Sequence, residues 1–154
     1  MANITLYTDG AARGNPGPGG YGVVLISGKY RKEISEGFRL TTNNRMELLA
    51  VIVGLEALKT TNNNVMVYSD SKYVIDSVVK GWVFNWIKTN FKNKKNADLW
   101  KRFLKIYQKH NVNFTWVRGH SGVNENERCD SLAVEASYDE GNMKIDKEYE
   151  KIAI

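Results

Sequence analysis

Four acids in this 154-residue chain stand where a strand or helix begins or ends: Asp9, Glu47, Asp70 and Asp130. Asp9 closes an alternating apolar run and precedes Gly10. Glu47 falls in the first turn of a helical stretch. Asp70 follows the run Val65 to Ser69, and Asp130 lies on a helix just after Gly119-His-Ser-Gly122. Carboxylates are hard oxygen donors and suit Mg²⁺ or Mn²⁺, which keep some water and also bind phosphate oxygens. If the four converge, they form a site for two divalent metals, and a phosphodiester is the substrate that fits it. Each acid also has a plainer reading. Asp9 can cap the turn at Gly10, and Glu47 can close a capping box on Asn44. Asp70 can be the N-cap of a helix that begins at Ser71, and Asp130 can be a solvated helix residue.

The elements that must position these acids follow from periodicity. Ile4, Leu6 and Thr8 alternate with Thr5, Tyr7 and Asp9, a strand pattern. The turn-rich stretch from Gly10 to Gly20 holds both prolines and reads as a loop. Tyr21 to Ser27 and Tyr30 to Thr41 read as strands, and the tight turn at Gly28-Lys29 makes them antiparallel. A helix is predicted over 44–59, a buried strand over 65–69 and a helix over 71–80 that ends at Gly81. The aromatic and basic stretch 82–95 reads as a short helix followed by a loop. A helix over 97–110, a strand over 112–117 and a helix over 125–137 complete the body. Residues 139–154 show no clear period and read as a loose tail outside a domain at 1–138.

This order is an α/β sheet whose first three strands form an antiparallel meander. Helical crossovers let the later strands run parallel to the first. Sites in such sheets lie beyond the carboxyl ends of the parallel strands. Asp9 and Asp70 occupy those ends, and they become neighbours if the first strand pairs with 65–69. Glu47 can reach over the same edge.

Charge narrows the partner. Residues 80–109 hold nine Lys or Arg against one acid, Asp98, whereas the rest of the chain carries 13 against 16. A basic stripe on a slightly acidic body reads as a polyanion footprint, or as a solvated helix and loop. Cys129 is the single cysteine, which excludes an internal disulfide and a multi-thiolate metal site and suits a reducing compartment. No run of apolar residues approaches the roughly 20 needed to cross a bilayer, and the N-terminal residues show no signal-peptide pattern. A cytoplasmic protein is expected. No heptad or large apolar stripe calls for an oligomer or an obligatory protein partner, so a monomer is expected.

Six strings occur in order: Tyr7-Thr-Asp-Gly10, Gly14-Asn-Pro-Gly-Pro-Gly-Gly-Tyr-Gly22, Thr41-Thr-Asn-Asn-Arg-Met-Glu-Leu48, Tyr68-Ser-Asp-Ser71, Trp116-Val-Arg-Gly-His-Ser-Gly122 and Asn126-Glu-Arg-Cys-Asp130. Together they resemble type 1 ribonuclease H, which cuts the RNA strand of RNA–DNA hybrids, over about residues 3 to 137. The resemblance implies a five-stranded mixed sheet flanked by helices, with the first three strands antiparallel. It implies that Asp9, Glu47, Asp70 and Asp130 bind two Mg²⁺, for which Mn²⁺ can substitute. Asp9 would bridge the ions, with Glu47 and Asp70 completing one site and Asp130 the other. Cleavage would leave 5′-phosphate and 3′-hydroxyl ends, and His120 would help position water or release product.

An enzyme specific for hybrids must sense the 2′-hydroxyl. Gly10, Ala11, Arg13, Gly14, Asn15, Asn43 and Asn44 flank the acids and are the candidate RNA-strand contacts. By resemblance, Tyr73, Trp82 and Trp86 line the DNA-strand channel, Thr42 and Asn96 hold a phosphate, and Lys88, Lys92, Lys94 and Lys95 form a basic protrusion. This protrusion looks shorter than in the best-known bacterial members, and Arg13 stands where some relatives have a small or apolar residue. Two alternatives remain open: a hybrid-binding protein without catalysis, and a DNA nuclease of the same fold.

Overall fold

The computed structural model describes residues 3–118 and 124–153. Five strands, β1 (Asn3–Ala12), β2 (Gly17–Ser27), β3 (Tyr30–Thr41), β4 (Asn64–Ser69) and β5 (Asn111–Trp116), form one sheet in the order β3-β2-β1-β4-β5. The first three are antiparallel, and β4 and β5 run parallel to β1, so the expected mixed sheet is present. The helices are α1 (Asn43–Glu56), α2 (Lys72–Val79), α3 (Trp82–Trp86), α4 (Ala97–Tyr107), α5 (Asn124–Tyr138) and α6 (Lys147–Ala153). Among the described residues, no helix is long and apolar enough to cross a membrane.

Strand alternation sends side chains to two faces. Ile4, Leu6, Tyr21, Val23 and Leu25 face α1 and join the main core with Leu48, Ile52, Leu55, Trp100 and Phe103. Buried on nearly every side, α1 packs on β1, β2 and α4. On the opposite face, Val24 meets Cys129 and Leu132 of α5. That second cluster is small, and glycine makes it tight. A β-carbon at Gly22 would overlap the Cys129 carbonyl, and one at Gly37 the Ala136 carbonyl, so α5 rests directly on the strand backbones. Gly22→Ala is expected to destabilise the protein by about 1–3 kcal/mol through overpacking, read as a lower denaturation midpoint with an unchanged denaturant slope.

The same packing corrects the reading of 10–20 as a loop. β1 runs on to Ala12 and β2 starts at Gly17, with Ala12 paired to Gly19, which leaves only 13–16 as the connection. Gly10 and Gly20 there admit α1 and α5, whereas Gly14, at φ 83°, serves the turn.

The segment after Tyr138 is not loose. Lys144 N donates to Gly37 O at 2.8 Å, and Arg39 N to Lys144 O at 3.0 Å, so the chain covers the outer edge of β3. Asp146 is 8% exposed. It accepts from Arg45 Nε at 2.7 Å, Arg45 Nη2 at 2.9 Å and Thr41 Oγ1 at 2.8 Å. Arg45 also grips Asp98 of α4 through two bonds of 2.8 and 2.7 Å. Glu150 then binds Arg39 in a two-pronged pair. These polar contacts have no periodic signature, so the sequence pattern does not reveal them.

Candidate active site

The parallel register of β1 and β4 ends with Tyr7 opposite Tyr68, whose rings stack at 5.0 Å. Asp9 and Asp70 lie two residues beyond that pair, where the parallel pairing stops; β4 has ended there, whereas β1 runs on to Ala12 beside β2. Glu47 comes from α1. Ligand oxygens of Asp9, Glu47 and Asp70 all lie within 4.8 Å of one another. Asp130, one residue after the buried Cys129, stands outside that triad but lines the same cavity of about 380 Å³. Gly10, Ala11, Asn43, Asn44, Ser71, Lys72 and Tyr73 complete its walls.

Two of the plainer readings fail. Thr42 caps α1, its hydroxyl accepting from Arg45 N at 3.3 Å, so Glu47 closes no capping box and Asn44 is not the N-cap. Ser71 caps α2, accepting from Val74 N at 3.2 Å, which leaves Asp70 without a capping task. Asp9 does accept from Gly10 N, at 2.9 Å. That same N–H reaches Glu47 Oε1 at 2.8 Å, so one backbone donor ties two carboxylates together. A β-carbon at Gly10 would strike Met46 and the Glu47 backbone, which explains glycine after Asp9.

The electrostatics favour an added cation. Asp9 and Glu47 are 9% and 8% exposed, and the second oxygen of Glu47 has no hydrogen-bond partner among the described residues. Burial pushes Asp9 up to about 7, and the nearby Asp70 and Asp130 charges add to the rise. Burial also lifts Glu47 well above the ordinary carboxylate range, reinforced by the hydrogen bond and charge of Asp9. The pair therefore holds a proton more readily than free carboxyls do, and a divalent cation at the cluster would take that proton's place. Orphaned buried oxygen, clustered acids and hard donors all fit such an ion.

These raised values fix a sign. Without metal, the folded state keeps protons that the unfolded chain releases above about pH 4. The contribution of the pair to stability is full at acid pH and is lost as pH rises through neutrality. In chelator, Tm of the wild type is expected to fall relative to Glu47→Gln between about pH 5 and about pH 8. A constant gap between the two melting curves would refute the shared proton.

Asn43 and Asn15 stitch the β1–β2 connection to α1: Ala12 N donates to Asn43 Oδ1 at 2.6 Å, and Asn43 N to Asn15 Oδ1 at 2.9 Å. Arg13 turns to α5, donating to Ser137 O at 2.8 Å and lying 3.9 Å over the Tyr138 ring. Thr42 and Asn96 share a second cavity with Asn15, Asn44, Arg45, Lys95 and Tyr149. Asn96 donates to Tyr73 Oη at 3.0 Å and accepts from Arg45 Nη1 at 3.4 Å. Trp82 is 45% exposed, whereas Trp86 packs edge-on against Trp100 at 5.9 Å. Lys88, Lys92, Lys94 and Lys95 are exposed, on a loop pinned by the buried Phe91. His120 lies outside the described residues. Sequence patterning passed over Arg45 and Lys72, each of which reads as an ordinary solvated cation.

A model of the RNase H family matches residues 1–138. The chain belongs to the RNase H family. It is 59% identical over 139 residues to ribonuclease H of Trichodesmium erythraeum, which covers 87% of this chain and 88% of that one. Among solved RNase H structures, LC9-RNase H1, a type 1 RNase H with the type 2 active-site motif, superposes with a TM-score of 0.82 at 31% identity. The match covers 93% of this chain and 74% of that one. LC11-RNase H1, solved in complex with an RNA/DNA hybrid, matches at 28% identity and a TM-score of 0.61 over 86% and 95% of the two chains. In this RNase H chain, the acid cavity sits at the switch point between the antiparallel meander and the parallel strands, where α/β sheets bind ligands.

Proposed function

We propose that this chain is an endoribonuclease that hydrolyses the RNA strand of RNA–DNA hybrids with two divalent ions, Mg²⁺ or Mn²⁺, held by Asp9, Glu47, Asp70 and Asp130. The observation that carries the reading is the cluster of three carboxylates within 4.8 Å, one of them buried with an unused oxygen. Membership in the RNase H family and the hybrid bound by its solved relative LC11-RNase H1 support the substrate. When bound, the metal supplies an activated water and offsets charge on the leaving oxygen. The Gly10 N–H, shared by Asp9 and Glu47, holds the two carboxylates together. Water adds to phosphorus and the bond to the 3′ oxygen breaks, leaving 5′-phosphate and 3′-hydroxyl ends. His120 helps position the attacking water or release product. His120→Ala is therefore expected to lower kcat about 10- to 100-fold without abolishing it, and a wild-type kcat in single-turnover assays would refute that role.

Around this centre, Gly10, Ala11, Gly14, Asn15, Asn43 and Asn44 meet the RNA strand at its 2′-hydroxyls. Arg13 holds their loop to α5 in the free protein and stands within the same contact set. Thr42 and Asn96 take a DNA phosphate, and Tyr73, Trp82 and Trp86 line the DNA strand. Lys88, Lys92, Lys94 and Lys95 add sequence-independent grip that weakens with salt. The protein works as a cytoplasmic monomer.

One substrate panel tests the activity. With Mg²⁺ and labelled hybrid, duplex RNA, duplex DNA and branched DNA, cleavage confined to the RNA of the hybrid is expected. Cleavage of DNA would point to a different nuclease of this fold, and binding without cleavage to a non-catalytic reader.

A further inference from the structure

Among the described residues, one cation lines the acid cavity. Lys72, the first residue of α2, shares its wall with Asp9, Glu47, Asp70 and Asp130. The position does not serve the helix, because an ammonium at a helix N-terminus opposes the macrodipole. No carboxylate pairs with Lys72 at salt-bridge distance among the described residues, and Asp76, one turn on, pairs instead with Lys80 at 3.7 Å.

The Lys72 ammonium lies 4.7 Å from the centre of the Trp116 ring. That indole is held in turn, its Nε1 donating to the Asp70 carbonyl at 3.2 Å. Lysine, indole and the backbone of a candidate metal ligand thus form one unit at the rim of the cavity. A cation on an aromatic face is placed without being neutralised. The N–H donors that do not face the ring stay available for an anion. Four acids in a row repel a phosphodiester chain, and a fixed positive charge at their rim offsets that repulsion without occupying any carboxylate oxygen.

The geometry points to Lys72 as a substrate-positioning residue: its ammonium, held in advance by Trp116, takes a phosphate oxygen of the nucleic-acid strand that crosses the acid cluster. This inference rests on the proposed function and adds a contact to it. A Lys72–phosphate contact releases one counterion, so its loss alters the salt dependence as well as the affinity.

The test uses full-length Asp9→Asn protein, expected to bind hybrid without cutting it, with and without Lys72→Gln. Binding of a fluorescent RNA–DNA hybrid is measured by anisotropy across a salt series. Lys72→Gln is expected to weaken binding about 5-fold at low salt and to flatten the slope of log K against log salt by about 0.7–0.9. Lys72→Arg is expected to restore the slope. Tm of Lys72→Gln is expected to stay level or rise, as the helix dipole requires. In the otherwise wild-type enzyme, KM should rise more than kcat falls. An unchanged affinity and slope in Lys72→Gln would overturn the contact while leaving the hybrid reading intact. Failure of Asp9→Asn itself to bind hybrid would overturn both.

Discussion

Asp9→Asn is expected to lower kcat by at least about a thousandfold while raising, not lowering, the thermal stability of the metal-free protein. Both effects have one cause. Asp9 is buried beside Glu47 and faces Asp70 and Asp130, and this crowding pushes its pKa up. An amide keeps the size of the side chain and can still accept from Gly10 N–H, the bond now made at 2.9 Å. It removes the charge that repels its neighbours and that would bind a cation. The metal-free protein relaxes, and the cluster loses one of its three close carboxylates. Added Mg²⁺ should raise the Tm of the wild type and leave that of Asp9→Asn nearly unmoved. Lost turnover together with lost stability would mean instead that Asp9 serves the fold.

Arg45→Ala is the substitution expected to damage the fold most. The Arg45 side chain is 3% exposed and lies between Asp98, at 2.7 Å, and Asp146, at 2.7 Å. Burial alone would push Asp98 up, but the bonds from Arg45 outweigh it and hold that carboxyl below its ordinary range. Removing the guanidinium leaves two carboxylates facing each other with nothing between them. Breaking a buried pair from one side costs about 3–5 kcal/mol, and urea denaturation should show a loss of that size. The tail should detach as well, because Asp146 joins Thr41 and Arg45 where the chain leaves β3. Hydrogen exchange at Arg39 and Lys144, whose N–H groups bond across that edge, should then rise. A loss of under about 1 kcal/mol would assign the cluster to the solvated surface.

β1 and β4 were legible because they alternate cleanly, and the sheet order follows from one tight turn and several helical crossovers. Asp9 and Asp70 were legible because parallel register sets Tyr7 beside Tyr68, two residues before each acid. What the pattern hid was non-periodic. Gly17 to Gly20 read as loop, since a strand start made of three glycines and a proline looks like a turn, although a side chain at Gly20 would strike α5. Asn44 and Glu47 imitate a capping box, while the actual cap, Thr42, lies two residues earlier. Arg45 and Asp146, far apart in sequence, look like surface charges until α1, α4 and the tail enclose them. Lys72 follows the Tyr68-Ser-Asp-Ser71 string directly, yet its role depends on Trp116, which only the fold brings beside it.

The most direct test of the account follows hybrid carrying a label in its RNA strand as metal is removed and restored. Cleavage should stop in chelator, return with Mg²⁺, and leave 5′-phosphate and 3′-hydroxyl ends, with no return in Asp9→Asn. Cleavage that persists in chelator, or ends that carry a cyclic phosphate, would contradict it, because the acid cluster would then not be where the strand is cut.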